Sequence, residues 1–226
     1  LVFTLTYTFV VTPLVLIFGM AIAVGVNNLP KAYRGLAIFI SLLPFLVPTI
    51  VGSMILSWMV DGDGVIGATL QNIFNDPSLS IKASTPLMWI MLMVYGVWHT
   101  LPLSFITFYA GLQTVPSDTL EAARVDGANK WQTMISVVVP HLMPLVSFVT
   151  LMLLMDNFRV LEPLVSFQAE AHAQSLSTFI VSDLIEAGNP LYASAGATSI
   201  LTILGVAILL TPVLIRTWRD FNAKAH

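Results

Sequence analysis

Two groups of charged side chains are where chemistry or binding could reside. The stretch EAARVDGANKW, residues 121–131, holds Glu121, Arg124, Asp126 and Lys130. A second set, Asp156, Arg159 and Glu162, repeats at three-residue intervals. On a helix such spacing makes neighbours, so the second set is expected to form a local ion cluster. The histidines, His99, His141, His172 and His226, are scattered and read as structural. There is no His-Glu-x-x-His pair and no Gly-x-Ser-x-Gly elbow. None of the four lysines follows a glycine, so a Walker A loop is excluded. No catalytic residue, metal site or cofactor is assigned. Any energy for moving a solute must arrive through a partner.

The elements that position these charges are set by composition. Of 226 residues, 57% are hydrophobic and only 9% charged, against about 25% charged in an ordinary soluble domain. Most of the surface must therefore face lipid. The net charge of −3 gives no nucleic-acid footprint. The absence of cysteine excludes disulfides and thiolate metal sites.

Five long stretches are nearly free of charge, each exceeding the roughly 20 residues that cross a bilayer as a helix. The expected spans are residues 5–26, 36–59, 87–109, 140–156 and 193–215. The fold class is thus all-α, a polytopic membrane helical bundle, with residues 1–226 as one transmembrane domain. Lys31, Arg34, Arg124, Lys130, Arg216, Arg219 and Lys224 fall on one face. Lys82 and Arg159 fall on the other, with Asp61, Asp63, Asp76, Glu162, Glu170, Asp183 and Glu186. The positive-inside rule makes the first face cytoplasmic, including the polar loop and the C-terminus. Trp58 and Trp89 near outer ends, and Tyr33 and Trp218 near inner ends, suit the headgroup layers. This arrangement places residue 1 outside and leads to the expectation of a further span upstream.

Within the spans, Pro44 and Pro48 are expected to kink the second helix, and Pro102 the third, close to His99 and Thr100. Freed carbonyls in lipid need a neighbour or a wet cavity. Pro48 and His99 are therefore candidates for a translocation path, with helix shaping as the competing explanation. In the outer loop, Val65, Ile66, Thr69, Leu70, Ile73 and Phe74 have helical spacing, giving either an amphipathic helix on the membrane or a packed loop. The small residues of 193–199 should let the last span pack closely on another helix.

The polar loop reads as two short helices around a glycine. Ser117 can cap the first, over 120–126, with Asp118 complementing the helix dipole. Gly127 can end that helix in a left-handed conformation, and Asn129 can cap the second. Trp131, Met134, Ile135 and Val138 then form one apolar face. Ala122, Ala123 and Ala128 permit close approach of another backbone. Glu121 and Asp126 would be repelled by anionic headgroups, so docking on a protein is favoured over lying on lipid.

The pattern Glu121-Ala122-Ala123-x3-Gly127-x9-Val137-x-Val139-Pro140 resembles the EAA loop of binding-protein-dependent ABC importer permeases. The family usually carries Ile and Leu where Val137 and Val139 stand. The run of residues 110–144, with Ala110-Gly-Leu-Gln113 and Asp126-Gly127-Ala128, is similar to the maltose-type, carbohydrate-uptake branch. Pro44-x3-Pro48 with Trp58, and residues 158–168, extend the likeness over nearly the whole chain. The resemblance implies a type I importer permease fold in the inner membrane. It implies a second permease, two cytoplasmic ATPases and an external substrate-binding protein as partners. It makes residues 112–139 the coupling loop, with Glu121, Ala122, Ala123, Asp126 and Gly127 at the ATPase. Asn157 and Phe158, beside Arg159, resemble positions that face the solute cavity. A permease for polyamines, amino acids or another small solute, a self-contained channel or carrier, and a membrane enzyme or scaffold are the other readings.

Overall fold

The computed structural model describes residues 2–76 and 80–178, with isolated positions between 205 and 216. The regular structure of the described residues is entirely helical, with no strand among them. Helix α1 covers Val2–Asn27, α2 Lys31–Leu46, α3 Thr49–Met59, α4 Val65–Phe74 and α5 Thr85–Leu112. Helix α6 covers Ser117–Val125 and α7 Lys130–Thr133. A π-helical turn, Met134–Val138, joins α7 to α8, Val139–Phe158, and α9 follows at Glu162–Ser166. A backbone in lipid must bond to itself, and helices do so within one segment.

Among the described residues three helical stretches are long and apolar enough to cross a membrane: α1, α5 and the continuous run Lys130–Phe158. The first two match the expected spans. The third begins ten residues before the expected start at 140, because helix continues unbroken from the polar loop through Pro140 and Pro144. The π turn widens it by one hydrogen-bond register, with Val139 N–H donating to Met134 O. Pro140 has no N–H and crowds the carbonyl four residues back, so a wider turn relieves the conflict. The expected face of Trp131, Met134, Ile135 and Val138 is not one face: Val138 is buried while Trp131 and Ile135 are exposed. The α-helical count fails across a π turn.

The expected second span, 36–59, is corrected more strongly. It is two helices, α2 and α3, bent by 90° at Val47–Pro48. Pro48 caps the start of α3 in an extended conformation. A proline disfavours helix at the residue before it, and Val47 is extended accordingly. Pro102, by contrast, sits inside unbroken α5. The expected last span, with its small-residue start, Trp218, and the charges of 183, 186, 219 and 224, lies outside the described residues or on their isolated positions.

Helix α1 is the centre of the bundle. Phe3, Tyr7, Val11, Val15, Gly19 and Ala23 recur every fourth residue and are buried. This ridge lies mainly on α5, with α8 alongside. At two crossings the backbones meet closely: a side chain at Gly19 would overlap Ser104, and one at Gly96 would overlap the Tyr7 hydroxyl. In lipid no hydrophobic force drives helices together, so such small-residue contacts carry the association. Phe105, Phe108, Leu92, Val149, Leu153, Leu164 and Phe167 complete the core. Asn157 on α8 donates to Thr12 on α1 at 3.0 Å, a type of interhelical bond worth about 0.6 kcal/mol on average in a membrane.

The two ends of the bundle are separately fastened. At the polar-loop end, Arg34 donates to Leu29 O and Asn27 O, both at 2.8 Å, closing the α1–α2 turn. Gln113 donates to Asn27 Oδ1 at 2.9 Å, so the loop leaves α5 beside the basic α1–α2 turn. At the opposite end Lys82 pairs with Asp61 at 3.1 Å. Here α4 is the helix expected in the outer loop. It packs Ile66 and Leu70 on the core and exposes Val65, Ile73 and Phe74. Trp89, expected in the headgroup layer, donates to His172 O at 2.9 Å. His172 Nδ1 also meets Thr85 at 2.8 Å. Together with Leu176 N–H donating to Thr4 at 3.1 Å, these bonds fold residues 159–178 back over the bundle.

Candidate functional site

A polar cavity of about 210 Å³ lies between α1, α3, α5, the end of α8 and α9. Tyr7 enters from α1 and Thr49 from the first residue of α3. Tyr95, Gly96, His99 and Thr100 form the α5 wall. Asp156, Asn157, Arg159, Val160, Glu162 and Pro163 close the remaining side. Thr49 is held twice: Tyr95 OH donates to its carbonyl at 2.7 Å, and its hydroxyl meets His99 Nε2 at 2.7 Å. Helix α5 thus fixes the elbow that Pro48 creates. The second ring nitrogen of His99, Nδ1, is buried without a partner among the described residues.

Of the candidates for the solute path, His99, Asn157 and Arg159 line this cavity, while Phe158 and Pro48 do not. Phe158 lies one step round the helix from Asn157, and Pro48 acts one residue away by turning the chain at Thr49. Asn157 is buried, and its amide is engaged by Thr12. Tyr7, Thr49 and Tyr95 are wall residues that no motif or spacing singles out. Their signal is distributed, since each comes from a different helix.

The expected ion cluster does not form. Among the described residues no ion pair links Arg159 to Asp156 or Glu162. Helix α8 ends at Phe158, Arg159 caps it, and Leu161 is out of helical conformation, with φ −135° and ψ −56°, before α9 begins at Glu162. The three-residue spacing makes neighbours only on a continuous helix. Asp156 is exposed in the last turn of an apolar span. An ionisable group at such a place faces water or a partner, not lipid.

The second site is the loop at the other end. In α6 no residue is buried, and Glu121, Ala122, Arg124, Asp126 and Gly127 are all exposed. Ser117 is not the cap that its type suggests. Pro116 occupies that position, and the Ser117 hydroxyl turns to Asp118 Oδ1 at 3.2 Å. Asp118 does lie in the first turn, as the dipole favours. The C-terminus closes as a Schellman motif. Gly127 has φ +77°, its N–H donates to Arg124 O at 3.0 Å, and Ala128 N–H donates to Ala123 O at 2.9 Å. Asn129 then caps α7 in a capping box, with Gln132 N–H donating to Asn129 Oδ1 and Asn129 N–H to Gln132 Oε1, both at 2.8 Å. Glu121, Arg124, Asp126 and Lys130 make no ion pair among the described residues. Val125 and Trp131, 87% and 72% exposed, add apolar surface beside those free charges.

A bundle of apolar helices with a rigid, uncovered helix–turn–helix at one end and a polar cavity toward the other defines a membrane transport subunit. Residues 15–220 match the family described as binding-protein-dependent transport system inner membrane component, and the chain belongs to that family. It is 32% identical over 238 aligned positions to the probable ABC transporter permease YesP of Bacillus subtilis, covering 98% of this chain and 73% of that protein. It is 30% identical over 167 positions to the trehalose/maltose permease MalF of Thermococcus litoralis, covering 70% of this chain and 54% of that one. The chain thus spans about half of MalF. Its fold matches the crystal structure of a bacterial ABC transporter that imports the acidic polysaccharide alginate, with a TM-score of 0.79. That match has 18% identity and covers 96% of this chain and 77% of the other. The fold is therefore the type I ABC importer permease fold, and the protein is a multi-pass component of the inner membrane.

Proposed function

We propose that this chain is the membrane permease of an ATP-driven importer for a sugar or related hydroxyl-rich solute. It works with a second permease, two cytoplasmic ATPase subunits and an external substrate-binding protein. Residues 112–139 form the coupling loop on the ATPase, with Glu121, Ala122, Ala123, Asp126 and Gly127 at the joint. The observation that carries this reading is the loop itself: a helix pair locked by Gly127 and Asn129 while all four of its charges stay unpaired. A surface charge needs no partner in water, but a preorganised helix pair with free charges and exposed Val125 and Trp131 suits docking. ATP-driven closure of the ATPases would draw the loops together and turn the cavity outward by a rigid-body movement of the helix bundle. The sugar class rests on the relatives named for trehalose and maltose and on the hydroxyl and aromatic groups of the cavity. Hydrogen-bonding groups beside ring faces are what sugars need.

The test is ATP-driven uptake and ATPase co-purification for Glu121→Ala and Gly127→Val in the full-length complex. Both variants are expected to insert normally and to lose uptake by tenfold or more. Removing one partner of a buried interfacial charge pair costs about 2–5 kcal/mol. Wild-type uptake in both would overturn the coupling role. Failure of any ATPase subunit to accompany the wild-type protein would overturn the importer reading.

A further inference from the structure

The cavity carries an electrical preference that its carbohydrate reading does not require. Among the described residues its charged or imidazole-bearing wall residues are two carboxylates, Asp156 and Glu162, one guanidinium, Arg159, and the imidazole of His99. No ion pair consumes either carboxylate among the described residues. The hydroxyls of Tyr7, Thr49, Tyr95 and Thr100 add no charge. With His99 neutral, the wall carries one negative charge in excess. A concave wall with a net charge between low-dielectric helices focuses its field and favours ions of opposite sign. Arg159 could bind one carboxylate or phosphate by its planar fork, but such a ligand would meet Asp156 and Glu162 on the same wall. Like charges brought together in a partly desolvated site reject a ligand more strongly than a missing contact does.

We infer that the cavity discriminates by charge, admitting uncharged or amine-bearing polyhydroxy solutes and rejecting carboxylated or phosphorylated ones. The inference rests on the importer reading above and narrows its solute class. The fold likeness to an alginate importer does not extend to cargo, because the cavity of this chain has the wrong sign for a uronate polymer.

The full-length permease complex, without its binding protein, is to be titrated calorimetrically with trehalose, a chitosan disaccharide and an alginate disaccharide. Trehalose and the amine-bearing sugar are expected to bind at least tenfold more tightly than the uronate. The isosteric variant Asp156→Asn/Glu162→Gln should shrink that ratio by about tenfold. Equal binding of uronate and trehalose by the wild type would overturn the inference, and so would an unchanged ratio in the variant. Absence of binding by all three sugars would overturn it too. In that case co-purification of the ATPase separates the outcomes: if it persists the importer reading stands and only the charge selection fails, and if it is lost both fail.

Discussion

At the residue scale, position-specific backbone chemistry decides most of what the polar loop is. Gly127 at φ +77° and the Asn129–Gln132 box are local devices, and local chemistry is legible in sequence. Ser117 was not legible in the same way, because Pro116 takes the capping position and leaves the hydroxyl for Asp118. The Asp156, Arg159 and Glu162 spacing misleads for a related reason: it presumes a helix that stops at Phe158. An ion pair that does form, Lys82 with Asp61, joins residues too distant in sequence for any spacing rule. Hydrogen bonding to Lys82, then the Gly62 N–H, holds the Asp61 carboxyl below its ordinary value. A depressed carboxylate contributes its stabilisation above the unfolded pKa and loses it as pH falls through the folded one. Hydrogen exchange in 61–76 should therefore stay slow through the usual carboxylate range and quicken only at more acidic pH. Asp61→Asn should remove that acid step. The pair is exposed, so global stability should change little.

At the element scale, the bundle is held by close helix crossings more than by large apolar burial. Gly19→Leu would drive a branched side chain into Ser104 and the α5 backbone. It is expected to lower the thermal midpoint of the detergent-purified protein by several degrees, whereas Gly25→Leu, with nothing near its Cβ position, should leave it unchanged. The positions of α1 and α5 are readable from hydropathy because a span has a length that the bilayer imposes. The right-angle break at Pro48 is not. A proline announces a kink, but its size depends on Tyr95 and His99 holding Thr49 from another helix. The π turn at Met134–Val138 is equally hidden, since Pro140 sets the conflict but not the register that resolves it.

At the scale of the whole molecule, the two ends differ in what they offer. One end presents the α1–α2 turn with Arg34, the root of the polar loop at Gln113, and the uncovered α6–α7 pair. The other is closed by Lys82–Asp61 and by the chain folded back under Trp89. The sequence has no cysteine, so single thiols report sidedness without background. Arg124→Cys should react with an impermeant maleimide only from the cytoplasmic side, and Asp63→Cys only from the outside. Reaction of both from one side would overturn the assigned orientation. Charge asymmetry between loops is what assigns the orientation, whereas the cavity was only half legible because its walls come from five separate elements.

The elbow at Pro48 also constrains how the protein is made. Helices α2 and α3 are about 24 Å and 16 Å long at 1.5 Å per residue, and each falls short of a hydrocarbon layer about 30 Å thick. Set at 90°, they cannot both run along the bilayer normal. The bonds that steady Thr49 come from Tyr95 and His99, which leave the ribosome nearly fifty residues later. Until then these two braces are missing from the bend. A nascent chain ending before α5 is therefore expected to stay crosslinkable to the insertion machinery at Val47, and one extended past His99 to lose that crosslink.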